Sequence, residues 1–181
     1  MKRHIASLSA ASAVLLSAAF VYGAETTPPP VPPQAQRVPC SRPEFRQFDF
    51  WLGDWNVTTV DGKPAGTNLV TRPLGLCVLQ EHWKGQGGSI GESYNTYDRE
   101  SGRWHQTWVD NSGTLLTLDG GLVGSDMVLA SARRMVGGKP TIDRITWSPK
   151  AANEVHQVWE QSFDDGKTWT VVFHGVYRPR V

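Results

Sequence analysis

The stretch from Cys77 to Asp110 reads CVLQEHWKGQGGSIGESYNTYDRESGRWHQTWVD. It holds three alternating runs, Cys77 to Lys84, Ser89 to Tyr97 and Trp104 to Asp110, with glycine-bearing breaks at Gly85 to Gly88 and Ser101-Gly102. Successive side chains of a strand point to opposite faces. The first run therefore sends Cys77, Leu79, Glu81 and Trp83 one way and Val78, Gln80, His82 and Lys84 the other. The second groups Gly91, Ser93, Asn95 and Tyr97, and the third groups Trp104, Gln106 and Trp108. Links this short force antiparallel neighbours.

The pattern continues in both directions. Strands are expected at Trp55 to Val60 and Asn68 to Leu74 before it, and after it at Thr114 to Leu118, Met127 to Arg134, Thr141 to Trp147, Glu154 to Phe163 and Thr168 to Arg178. Turn signals such as Asp61-Gly62, Gly120-Gly121, Gly137-Gly138 and Asp165-Gly166 fall between them. A meander of about ten strands either leaves two exposed edges or closes on itself, and closure into an up-and-down barrel removes the edges. A two-sheet sandwich is the alternative, but it needs Greek-key crossovers, and no connection is long enough to make one. Ahead of the strands, Ser41 with Glu44 forms a capping-box pattern, Pro43 suits a first helical turn, and Phe45, Phe48 and Leu52 share one face. One short helix, stopped by Gly53, is expected there.

The chain has 181 residues with 18 Lys and Arg, 17 Asp and Glu, and 8 Trp. Met1 to Arg3 is a short basic segment, and Ile5 to Tyr22 is apolar and rich in Ala, Leu, Val and Ser. This is the pattern of a secretory signal peptide, residues 1–23, with cleavage expected after Gly23. Losing Lys2 and Arg3 leaves 16 basic against 17 acidic residues, a formal charge of −1 in place of +1. Residues 24–39 (AETTPPPVPPQAQRVP) read as an extended proline-rich tether. Residues 40–181, about 142 in number, suffice for one domain with a real core. Near-neutral mixed charge argues against nucleic acid and against a polybasic membrane surface. No further apolar run is long enough to span a membrane. A periplasmic or extracellular location is the expectation, and in an oxidising compartment the only two cysteines, Cys40 and Cys77, are expected to pair.

Taken as the inner face, the chosen sides of the strands give a lumen of tryptophans mixed with polar groups. The candidates are Glu81, Trp83, Ser93, Asn95, Tyr97, Gln106, Trp108, Gln157 and Trp159, the last two with Val155 on the ninth strand; Ile142, Arg144 and Thr146 of the eighth strand are assigned to the same side. Each buried polar group costs a few kcal/mol unless it is hydrogen-bonded. These groups therefore either satisfy one another, with Arg144 pairing to Glu81, or they face a ligand in an aromatic and polar cavity. Tryptophans with amides suit a small, partly polar, aromatic-stacking molecule better than a lipid.

Enzyme signatures are sparse. The chain has no H-E-x-x-H, P-loop or Rossmann fingerprint, and His82, His105, His156 and His174 fall on separate strands without metal-site spacing. No metal is expected. Acid–base chemistry through Glu81 with Gln106 or Arg144 stays open.

Gly53-Asp54-Trp55 resembles the lipocalin G-x-W signature, and Arg178 stands where calycin barrels set an arginine against that tryptophan. The resemblance implies a cation over the Trp55 indole, closing the barrel where the first and last strands meet. Phe48-Asp-Phe-Trp-Leu-Gly-Asp-Trp55, with Cys77-Val-Leu, Tyr97-Asp98, Trp104-x-Gln-x-Trp108 and Gly175-x-Tyr177, resembles an uncharacterised family of secreted bacterial lipocalin-like proteins of the calycin superfamily. What that resemblance implies is a fold, an all-β calycin-type barrel with a short N-terminal helix, and no activity. The opening is also similar to that of nitrobindin, whose family ligates haem through a histidine on the last strand. His174 lies on that strand here, although registration on Tyr177 would put the family's ligand nearer Val172. Ser162-x-Asp164-x-Gly166-x-Thr168-Trp169 resembles the Asp-box of sialidases, which implies a structural hairpin turn. The expectation for function is an exported small-molecule carrier or sensor, with a filled-barrel scaffold or protein-interaction domain as the alternative.

Overall fold

In the computed structural model, which describes residues 40–150 and 153–181, eleven strands form one antiparallel system. They are β1 (Gly53–Thr59), β2 (Pro64–Thr71), β3 (Val78–Gly85), β4 (Ile90–Asp98), β5 (Arg103–Asp110), β6 (Leu115–Val123), β7 (Asp126–Ala130), β8 (Arg134–Val136), β9 (Lys139–Lys150), β10 (Glu154–Ser162) and β11 (Thr170–Pro179). Each of β1 to β6 pairs with the next, β7 pairs with β9, β9 with β10, β10 with β11, and β11 returns to β1. The ring of ten strands is therefore closed, and no sheet edge is left along it. The eleventh strand, β8, pairs only with the start of β9. Met127 to Arg134 is thus not one strand: β7 stops at Ala130 and a separate short hairpin, turned at Gly137 and Gly138, begins at Arg134. The expected signal peptide (1–23) and tether (24–39) lie outside the described residues.

The segment before β1 differs from the expected helix. Pro43–Arg46 and Asp49–Trp51 are two 3₁₀ turns, and the capping box does not form. Arg42 occupies the cap position without capping the turn through its side chain, which pairs instead with the Glu44 carboxylate at 2.9 Å. The apolar side chains explain why the segment folds down all the same. Phe48 and Trp51 are fully buried and stack at 5.0 Å, and Phe48 meets Trp147 edge-on at 5.1 Å and Trp104 at 5.6 Å. Aromatic burial on this scale outweighs a missing cap. Arg72, just after β2, pairs with Asp49, Trp104 Nε1 donates to Gln47 Oε1 at 3.0 Å, and Arg46 bonds the carbonyls of Cys40 and Leu76. The Cys40–Cys77 disulfide ties the same segment to the start of β3. The turns plug one end of the barrel.

Closure at β1 and β11 is tight but does not use the expected cation. The register pairs Asn56 with Arg178 and Val57 with Tyr177. With a side-chain period of two, Arg178 lies on the outer face while Trp55, Val57 and Tyr177 face the core. Arg178 pairs with Glu154 at 2.7 Å, and the Trp55 indole donates to the Trp51 carbonyl at 3.0 Å. Tyr177 packs edge-on against Trp55, at 6.3 Å.

Candidate functional site

Above the aromatic plug the lumen holds a layer of polar groups, and above that layer it opens. Glu81 on β3 is 4% exposed. Its Oε1 accepts from Asn68 Nδ2 of β2 at 2.7 Å and its Oε2 from Ser93 Oγ of β4 at 2.6 Å. Asn95 Nδ2 continues the chain to Ser93 Oγ at 2.9 Å and to the Leu79 carbonyl at 3.2 Å, and Gln106 Nε2 of β5 reaches Asn95 Oδ1 at 2.7 Å. Registers Glu81↔Ser93 and Asn95↔Gln106 bring these side chains level across neighbouring strands. Most of the polar cost of burial is met inside this network.

A cavity of about 450 Å³ lies on the far side of the network from the plug. Its walls are Trp83, Trp108, Trp159 and Phe173, and Glu81, Gln106, Gln157 and Tyr177 lie at its polar floor. The turns after β3 (Gly85 to Ser89) and after β5 (Asp110 to Thr114) frame its mouth. Every indole N–H of the wall is already used: Trp83 Nε1 donates to Ser89 Oγ at 3.2 Å, Trp108 Nε1 to Asp110 Oδ2 at 3.3 Å and Trp159 Nε1 to Asp143 Oδ1 at 2.8 Å. The rings are thereby fixed as apolar faces. Glycines make room for two of them. A methyl group at Gly91 would meet Trp108 at 2.2 Å, and one at Gly66 would meet Trp83 at 2.8 Å.

Two acids set the electrostatics. With no cation in its hydrogen-bonded shell, burial pushes the Glu81 carboxyl up to about 7, against the smaller opposing pull of Ser93 and Asn68. Both protonation states are populated near neutral pH. At the mouth, the Ser112 hydroxyl and the Thr114 and Ser112 backbone N–H groups hold Asp110 down at about 2, so it stays ionised. Burial and the nearby Glu81 charge raise the Tyr177 phenol well above its ordinary value, and its hydroxyl donates to Gln157 Oε1.

Of the sequence candidates, Glu81, Trp83, Gln106, Trp108, Gln157 and Trp159 line the cavity. Ser93 and Asn95 lie behind it in the network. Tyr97 belongs to the opposite end, edge-on to Phe45 at 5.5 Å. Arg144 is a correction. On β9 the inward residues are Thr141, Asp143, Ile145 and Trp147, so Ile142, Arg144 and Thr146 face out. Arg144 pairs with Glu160 at 2.8 Å and covers the Trp169 ring at 3.9 Å; it does not meet Glu81. The residue missed on that strand is Asp143, fully buried, which holds Trp159 and Gln161 on one oxygen and Arg134 on the other. Asn68, Phe173 and Tyr177 were also absent from the expected lumen.

The remaining motifs resolve plainly. Ser162 and Asp164 bind the amides of Gly166, Lys167 and Thr168, and Trp169 Nε1 donates to the Gly166 carbonyl at 3.1 Å, which makes the Asp-box stretch the structural turn between β10 and β11. His174 contacts His156 at 3.2 Å across β10 and β11, on the face opposite Gln157. A haem in the lumen needs an axial ligand facing it, and His174 does not fit that role. Among the described residues no cluster of three metal-ligating side chains occurs.

A closed ten-stranded barrel with a plugged end, a polar mid-layer and an aromatic cavity defines the class. Neither a protein-family model nor a curated protein matches the chain.

Proposed function

We propose that the domain is an exported small-molecule-binding barrel, a carrier or sensor of the lipocalin-like kind, whose ligand stacks on Trp83, Trp108 and Trp159 and is oriented by the polar floor. One observation carries this reading: the cavity keeps unspent hydrogen-bonding capacity. The described residues give no hydrogen-bond partner to Gln106 Oε1 or to Gln157 Nε2, although both side chains line the space. A cavity of this volume, mostly aromatic with a few convergent polar groups, has the make-up of small-molecule sites. The disulfide suits an oxidising compartment, periplasmic or extracellular. The test is indole emission of the mature protein against a broad metabolite panel. A saturable response that weakens in Gln157→Leu supports the binder. A flat response throughout favours the filled scaffold.

A second reading rests on the titration of Glu81 near neutrality within a cavity, which suits a group that takes and returns a proton. Glu81→Gln discriminates: any activity found in the wild type must be lost from this variant.

A further inference from the structure

The chemistry of the cavity specifies more than a partly polar ligand. Among the described residues its charged lining is Glu81 and Asp110, both acidic, with no Lys, Arg or His. Glu81 receives hydrogen bonds from two neutral donors only, Asn68 and Ser93, and has no ion-pair partner among the described residues. Among the described residues, two acceptors near it are unspent, whereas the unspent donor of the floor is Gln157 Nε2. Gln106 Oε1 has no partner, and Asn68 Oδ1 is buried without one. The walls add to the same field, because indoles whose N–H groups are engaged by Ser89, Asp110 and Asp143 have the electron-rich faces of their rings left to offer a ligand.

Resting on the binding reading above, we propose that the ligand is an organic ammonium ion carrying an apolar or aromatic body. The ammonium sits between the Glu81 carboxylate and the Gln106 amide oxygen, and the body lies against Trp83, Trp108 and Trp159. A primary ammonium is donor-only, which suits the acceptors gathered at Glu81 and Gln106 Oε1, while Gln157 Nε2, the unspent donor of the floor, is left to another polar atom of the ligand. Its charge replaces the missing counter-ion of a buried carboxylate. Asp110, ionised at the mouth, draws cations toward the entrance and repels carboxylates. A neutral ligand gains the stacking and hydrogen bonds to the glutamine amides but no charge attraction, and an anion meets two acids.

Binding of such a cation requires the ionised carboxylate, so it is linked to protons. The titratable groups around Glu81 are Tyr177 from β11 inside the lumen, His82 on the outer face of β3 and Asp110 at the rim, while Asp143 of β9 is paired with Arg134. The phenol stays neutral across the physiological range. Titration of Glu81 therefore dominates the linkage.

The test compares 2-phenylethylamine, 2-phenylethanol and 3-phenylpropanoate as probes of the full mature protein by calorimetry. The amine is expected to bind about tenfold more tightly than the alcohol near pH 8, to lose about tenfold in affinity toward pH 5.5, and to release protons on binding near pH 6. In Glu81→Gln the preference for the amine over the alcohol disappears while alcohol binding persists. Equal affinity for amine and alcohol, tighter binding of the acid, or an amine affinity unchanged in Glu81→Gln overturns the ammonium assignment and leaves the small-molecule barrel standing. Failure of all three probes, with no response to the wider metabolite panel, overturns both.

Discussion

Asp143 Oδ1 accepts hydrogen bonds from both Trp159 Nε1, at 2.8 Å, and Gln161 Nε2, at 2.9 Å, from inside a barrel wall where the residue has no solvent exposure. Its second oxygen takes the Arg134 guanidinium through two nitrogens, at 2.6 and 3.1 Å. One carboxylate thus orients a wall of the cavity and anchors the β8–β9 hairpin. Removing it strands a partly buried cation and an indole N–H. Asp143→Ala is expected to lower unfolding free energy by about 3 kcal/mol, measured by urea denaturation. The emission of Trp159 should shift as its ring loses its tether.

Asp143 also shows where sequence reasoning fell short. The inner faces of β3, β4, β5 and β10 are legible in the alternation, which sets Glu81 with Trp83, Ser93 with Asn95, Gln106 with Trp104 and Trp108, and Gln157 with Trp159. On β9 the run Thr141-Ile-Asp-Arg-Ile-Thr-Trp147 offers an isoleucine to either side, and Arg144 attracted the assignment through its charge complementarity to Glu81. Trp147 held the decisive signal. A tryptophan two residues beyond Ile145 fixes Asp143, Ile145 and Trp147 inward, and Arg144 then belongs outside with Glu160 and Trp169. The same parity separates Arg178 from Trp55. The plug was legible as an apolar segment but not as 3₁₀ turns, because aromatic packing decided its backbone where capping chemistry did not.

The pH dependence of stability should carry the mark of Glu81. Its folded carboxyl titrates at about 7, above the ordinary value of 4.5. Between those values the folded chain holds a proton that the unfolded chain has released. The resulting stabilisation is full below about pH 4.5, falls as the pH rises toward 7 and is gone above it, with an amplitude of about 3 kcal/mol. Glu81→Gln lacks that slope. Relative to wild type, the variant should gain stability on going from acid to pH 8, as read from paired urea titrations.

At Gly91 the close approach of Trp108 leaves no space for a side chain. Gly91→Ala must displace the indole from its seat beside β4, breaking its bond to Asp110 and narrowing the cavity. The expected cost is about 1 to 3 kcal/mol. A lowered Tm together with altered tryptophan emission checks it.

The disulfide joins residues 37 apart in the chain and holds the plug against β3. In the chain-entropy account, closing a loop of this length is worth about 4 kcal/mol. The Cys40→Ser, Cys77→Ser protein should lose between about 2 and 4 kcal/mol in denaturant unfolding. Because Arg46 and Arg72 still tether the segment, the barrel should still form, with its far-ultraviolet signature retained.

Native mass spectrometry of the protein, purified gently from the cells that make it, bears most directly on whether the lumen is a binding site. A one-to-one complex with a small molecule is expected, absent from a Gln106→Leu, Gln157→Leu protein that keeps the barrel's spectroscopic signature. A bare mass throughout, with no adduct and no change in indole emission on challenge with small molecules, would contradict it.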